Sequence, residues 1–186
     1  NANGQIGDNT VTQRLTATTV PNLANVKALS VSSMAVHACV ALSDGTARCW
    51  GYNGFGQIGD NTQIDRKVPT LVQGLTNVKV MASGLYHTCA VLENGTMRCW
   101  GRNTEGQLGD TTATTKFLPV TVYELAGAVD VAAGDPGVAT RLTVRLAGDE
   151  QPWSANWWDA TRGLDLTATL STDVIYVPPG EGQLVV

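Results

Sequence analysis

Arg48-Cys49-Trp50-Gly51-Tyr52-Asn53-Gly54-Phe55-Gly56-Gln57-Ile58-Gly59-Asp60 returns fifty residues later as Arg98-Cys99-Trp100-Gly101-Arg102-Asn103-Thr104-Glu105-Gly106-Gln107-Leu108-Gly109-Asp110. Its last five residues also stand at Gly4-Gln5-Ile6-Gly7-Asp8, 52 residues ahead of the second occurrence. Upstream, His37-Ala38-Cys39 returns as His87-Thr88-Cys89, again shifted by 50. A fixed period settles an architecture before any single segment does.

Between these marks, the apolar segments 20–26, 68–78 and 118–129 each contain a proline, Pro21, Pro69 or Pro119. Proline has no amide hydrogen to give to a ladder, so these segments read as linkers and edge strands. Each full period also predicts a short strand near 78–81, a strand across 88–92, a tight turn and a strand across 96–100. A further short strand follows the glycine-rich turn. Four short strands in about 50 residues, with no helical period, predict an all-β fold of four-stranded antiparallel propeller blades.

The residues that carry this pattern resemble the regulator of chromosome condensation repeat family. They are Gly84-Leu85-Tyr86-His87-Thr88, the Asn94-Gly95 turn, Trp100-Gly101-Arg102-Asn103 and Gly106-Gln107-Leu108-Gly109-Asp110. The likeness runs from residue 1 to about 134. It implies four-stranded blades around a central channel, seven to a ring. The first copy departs from it: Met34 stands fifty residues before Gly84, and Asn25 lies two residues further from its histidine than Asn77 does. A different bend is expected there.

Residues 1–126 are read as clear propeller repeats, and 127–186 as a degenerate blade followed by the start of another. Val131-Ala132-Ala133-Gly134 aligns with Met81-Ala82-Ser83-Gly84, and Trp153-Ser154-Ala155-Asn156 can stand for Trp100-Gly101-Arg102-Asn103, but this copy lacks the histidine and both cysteines. A separate small β unit over 127–172 is the alternative. The segment 174–177 looks like an opening strand. About 3.5 repeats do not close a ring of seven, so the expectation is a partial propeller: part of a protein of roughly 350 residues, or a chain that self-associates head to tail.

Four cysteines allow three pairings, and hairpin geometry chooses among them. If Ser43-Asp44-Gly45 is a three-residue loop with Gly45 left-handed, Leu42 faces Thr46 and Cys39 faces Cys49. The same count through Glu93-Asn94-Gly95 sets Cys89 opposite Cys99. Both pairs then fall at non-hydrogen-bonded sites, where side chains approach closely enough for a disulfide. Ten-residue separations lack the close C-x2-C pairs of structural zinc sites. Disulfides, with free buried thiols as the alternative, are expected to place the chain in an oxidising compartment, secreted, periplasmic or at a cell surface, unlike the nuclear members of the family it resembles.

The remaining chemistry reads as structural. His37 and His87 recur once per repeat, which a catalytic residue seldom does, and neither has a serine-nucleophile motif beside it. The resemblance makes this histidine part of the repeat. The Gly-Gln-Ile-Gly-Asp turn lacks the Gly-Lys-Ser/Thr ending of a phosphate loop. Its glycines permit tight turning, and Asp8, Asp60 and Asp110 are expected to bond nearby backbone amides. One Asp per repeat falls short of a calcium site, which takes about 6 to 8 oxygens. Trp50 and Trp100 are expected to pack between blades. Asn94-Gly95-Thr96 matches a glycosylation sequon that the turn itself also demands.

Of 186 residues, 43% are hydrophobic and the formal charge is -4, with 12 Lys+Arg against 16 Asp+Glu. That composition fits a folded domain and disfavours nucleic acid and membrane surfaces as partners. No cofactor, metal or enzymatic activity is expected. Propellers carry function on their loops, and the loops after Gly51 and Gly101 vary where the scaffold is constant. Tyr52, Phe55, Arg102 and Glu105 are therefore candidate binding residues for a protein or glycan; Trp153, Trp157 and Trp158, which break the repeat and bring three large rings close together in sequence, are read as further candidates, with a repacked blade core as the alternative. A structural subunit of a surface assembly and a guanine-nucleotide exchange factor are the alternatives, the latter implied by the resemblance alone.

Overall fold

The computed structural model describes residues 1–32, 34, 36–133 and two further strands, Arg141–Leu146 and Trp153–Asn156. Blade 1 is a sheet of order β1-β2-β3-β4, with β1 Val26–Val31, β2 His37–Leu42, β3 Ala47–Gly51 and β4 Arg66–Leu71. Blade 2 repeats it as β5 Val78–Ser83, β6 His87–Leu92, β7 Met97–Gly101 and β8 Lys116–Thr121. A third sheet, β11-β10-β9, joins β9 Ala128–Ala132 to the two further strands. All pairings are antiparallel. The first strands β1, β5 and β9 pack against their neighbours, so successive blades converge on that edge. Pro69 and Pro119 lie in the opposite edge strands, where a missing donor leaves no ladder bond unmade.

The β2–β3 hairpin closes as the spacing requires. Gly45 N–H donates to Leu42 O at 3.0 Å, Leu42 N–H donates to Thr46 O at 2.9 Å, and Gly45 takes φ 81°. Cys39 therefore pairs with Cys49, and Cys89 with Cys99, as disulfides with Cα–Cα distances of 4.1 Å. Both lie fully buried.

Between the blades the core is continuous. Cys39, Cys49, Ile58 and Val72 of blade 1 pack with Val78, Met81 and Trp100 of blade 2. The Trp100 indole N–H donates to Gln57 O at 2.8 Å, and that of Trp50 donates to Gln5 O at the same distance. The glycine-rich turn of one blade thus caps the tryptophan of the next, as expected of inter-blade rings. A Cβ on Gly59, whose φ is +76°, would stand 2.8 Å from Trp100 Nε1 and 2.9 Å from Val72 Cγ1.

Two of the expected alignments shift in space. Ser32, not Met34, takes the place of Gly84: its N–H donates to His37 O at 3.3 Å, as Gly84 N–H does to His87 O at 2.9 Å. The two extra residues of the first copy are absorbed in the β1–β2 loop, where Met34 is exposed, and both blades keep the same ladder with an irregularity at Lys27 and Lys79. In the third sheet Ser154 pairs with Thr143, as Cys99 pairs with Cys89, and Thr143 pairs with Ala132 as Cys89 does with Ala82. Trp153 therefore stands at the position of Arg98, two residues before that of Trp100. Trp157, Trp158 and the segment 174–177 lie outside the described residues.

Candidate functional site

Constant residues set the frame of each β3–β4 and β7–β8 loop. Asn53 Nδ2 donates to Asp60 Oδ1, Thr62 O and Ile64 O, while its Oδ1 accepts from Ile58 N at 2.9 Å. Asn103 repeats this with Asp110, Thr112, Thr114 and Leu108. Asp8, Asp60 and Asp110 each accept from the backbone amide two residues on, at 3.0, 3.1 and 3.0 Å. Burial works to raise the Asp60 carboxyl, but hydrogen bonds from Thr62 and Arg66 and the Arg66 charge outweigh it and hold it below its ordinary value. These buried, saturated groups make the loop backbone rigid.

Onto that frame the variable positions project together. Tyr52 and Phe55 of blade 1 meet Tyr86 of the β5–β6 loop: Phe55 and Tyr86 have centroids 4.8 Å apart, Tyr52 and Tyr86 6.0 Å, and Tyr52 and Phe55 6.4 Å. Arg102 of blade 2 lies over the Phe55 ring at 5.9 Å and pairs through Nη2 with Glu105 Oε1 at 2.6 Å. Glu105 also accepts from Thr104 Oγ1 at 2.6 Å and Gln107 Nε2 at 2.9 Å. Burial acts to raise the Glu105 carboxyl, and these donors with the Arg102 charge bring it below its ordinary value. All five side chains are half-buried. Four of them are sequence candidates. Tyr86 reads as scaffold in the repeat motif, although its counterpart in blade 1 is Val36: Arg102 N–H donates to Tyr86 O as Tyr52 N–H donates to Val36 O. Trp153 lies in β11, on the third sheet.

Beneath this surface lies a buried polar chain. The Thr88 hydroxyl donates to Gln57 O at 2.9 Å, so its oxygen must accept from His37 Nε2–H, also at 2.9 Å. His37 is thereby fixed as the neutral Nε2–H tautomer. Burial, and secondarily the proximity of His87, pushes its pKa down to about 3; burial holds His87 down at about 4, partly opposed by Glu105. Neither imidazole is poised for proton transfer near neutral pH. Among the described residues, no group of three or more His, Cys, Asp or Glu side chains could hold a metal ion, and no helix is long and apolar enough to cross a membrane.

The regulator of chromosome condensation (RCC1) repeat pattern matches residues 44–91 and 94–139, and a second form of it matches 78–107. The chain belongs to the RCC1 repeat family. The RCC1 domain-containing protein RUG3, mitochondrial, of Arabidopsis thaliana is 31% identical over 67 residues, covering 35% of this chain and 15% of its own. Among solved structures, human WBSCR16 superposes with a TM-score of 0.59 at 20% identity, over 70% of this chain and 33% of that one. Saccharomyces cerevisiae Prp20p gives 0.59 at 21% identity over 73% and 34%, and yeast RCC1 (Prp20) bound to Kap60 gives 0.58 at 19% over 73% and 33%. The RCC1 repeats here therefore form a partial β-propeller, and the chain spans about a third of the length of these solved relatives.

Proposed function

We propose that this RCC1-repeat chain is a non-catalytic recognition module for a protein partner in an oxidising compartment, secreted, periplasmic or at a cell surface. The surface formed by Tyr52, Phe55, Tyr86, Arg102 and Glu105 is the observation that carries the reading. Tyrosine and arginine dominate the energetics of protein interfaces because they bring large contact area with polar ends, and rigid presentation lowers the entropy lost on binding. The side chains that differ between copies converge here, over an Asn–Asp hydrogen-bonded frame that both blades repeat. Prp20p is described by its binding to Gsp1p and histones, and yeast RCC1 by its complex with Kap60, which supports a protein as the class of partner. The two buried disulfides support the compartment and weigh against an exchange factor for a cytosolic GTPase.

Selection of a displayed random-peptide library on the chain tests this reading. Enriched peptides are expected to bind wild type and to lose binding to Tyr86→Ala and Tyr52→Ala. Enrichment of peptides that bind these variants as well as wild type would place recognition elsewhere.

A further inference from the structure

The loops of blades 1 and 2 share a backbone yet treat one buried amide differently. In blade 2, Gln107 Oε1 accepts from Glu105 N–H at 3.0 Å, and Gln107 Nε2 donates to the Glu105 carboxylate. In blade 1, Gln57 Oε1 accepts from Phe55 N–H at the same 3.0 Å, the same orienting bond that in blade 2 leaves Nε2 to the side chain of residue 105. The matching side chain in blade 1, that of Phe55, is a phenyl ring. Gln57 is fully buried, and its Nε2 has no hydrogen-bond partner among the described residues. Leaving a buried donor unpaired carries a penalty that native structures rarely accept away from functional sites.

From this we infer that blade 1 receives a carboxylate from its partner: an Asp or Glu side chain that displaces the Phe55 ring from over Gln57 takes the place that Glu105 fills internally in blade 2. Three features around the orphan amide favour an anion over a neutral group. The Arg102 guanidinium stands over the Phe55 ring, 5.9 Å from its centroid. Phe55 and Tyr86 are tilted at 44°, and aromatic ring edges carry partial positive charge. The chain also demonstrates the arrangement, since Glu105 is held by an Arg, a hydroxyl and the equivalent Gln amide. Tyr52 and Gly54 replace Arg102 and Thr104 in blade 1, which removes two internal donors and leaves the ligand group to be met by Gln57 Nε2 and by Arg102 from the neighbouring blade. The inference rests on the protein-recognition reading of this surface and specifies the chemistry at its centre.

The test titrates acetyl-Glu-Phe-amide and acetyl-Gln-Phe-amide into the chain while NMR follows the Gln57 side-chain amide. Wild type is expected to bind the Glu probe about tenfold more tightly than the Gln probe, as a charge-assisted hydrogen bond does over a neutral one, with the Gln57 amide shifting. Phe55→Glu supplies the carboxylate internally and should abolish the preference, whereas Phe55→Ala leaves the amide unpaired and should keep it. Equal affinity for the two probes in wild type, or a preference that survives Phe55→Glu, would overturn the inference. Neither result touches the peptide selection, where loss of binding in Tyr86→Ala reports on the surface as a whole.

Discussion

Acidification should destabilise this protein through its two histidines before its carboxylates take part. His37 and His87 are buried and neutral, with pKa values of about 3 and about 4 against 6.5 in the unfolded chain. Their folded-state pKa is depressed, so below 6.5 the unfolded chain binds protons that the native state refuses. The stability they contribute is complete above 6.5 and is lost as pH falls toward 4 and 3. At pH 5 the unfolded form has gained about 1.5 pH units of proton binding at each site, or about 2 kcal/mol per histidine and about 4 kcal/mol together. For a chain of this size that corresponds to a fall in Tm of roughly 8 to 16 °C between pH 8 and pH 5. Asp60, Asp110 and Glu105, all held below their ordinary values of 3.8 and 4.5, lose their contributions only at lower pH, outside that window. Urea denaturation followed by tryptophan fluorescence at pH 8, 7, 6 and 5 measures the slope. His37→Gln keeps a donor for Thr88 without a titrating ring, so it should remove about half of the slope. A stability that stays level from pH 8 to 5, or a His37→Gln slope equal to wild type, would refute the reasoning.

Three further outcomes follow from packing and covalent structure. Cys39→Ala/Cys49→Ala should cost about 2 to 3 kcal/mol in chemical denaturation, the loop-closure value for a sequence separation of 10 residues, and Cys89→Ala/Cys99→Ala a similar amount. Trp100→Ala should cost about 3 to 5 kcal/mol because it empties the junction between blades, while Trp100→Phe, which forfeits chiefly the bond to Gln57 O, should cost about 1 to 2 kcal/mol in the same assay. Gly59→Ala should lower Tm by several degrees, about 1 to 3 kcal/mol, because its Cβ meets the Trp100 indole at a left-handed backbone position.

Much of the scaffold is legible in the sequence because the ladder converts counting into contact. A three-residue turn ending in Gly45 fixes which residues face each other, so the disulfides and their buried sites follow from spacing. Pro69 and Pro119 mark outer strands because proline cannot donate. Constant offsets fail where residues are inserted: a loop absorbs two extra residues without moving the ladder, so Ser32 and not Met34 replaces Gly84. Trp153 is misplaced for a different reason, since no glycine-rich mark pins the third sheet. The candidate surface is half legible. Tyr52, Phe55, Arg102 and Glu105 stand out as exchanges between copies, but their meeting is an inter-blade contact that no single repeat encodes. Tyr86 is hidden inside a consensus motif, and the orphan amide of Gln57 emerges only when the two loops are compared in space.

The most direct measurement is the affinity of one selected peptide, by calorimetry, for four chains: wild type, Tyr86→Ala, Phe55→Ala, and Lys27→Ala, whose ion pair with Glu93 adjoins the hairpin turn at the other end of the strands. The expected result is a loss of about 30-fold or more, worth about 2 kcal/mol at an aromatic hot spot, for the first two variants, with Lys27→Ala matching wild type. Undiminished affinity in the aromatic variants, with weakening at Lys27, would contradict the assignment of recognition to the aromatic loops.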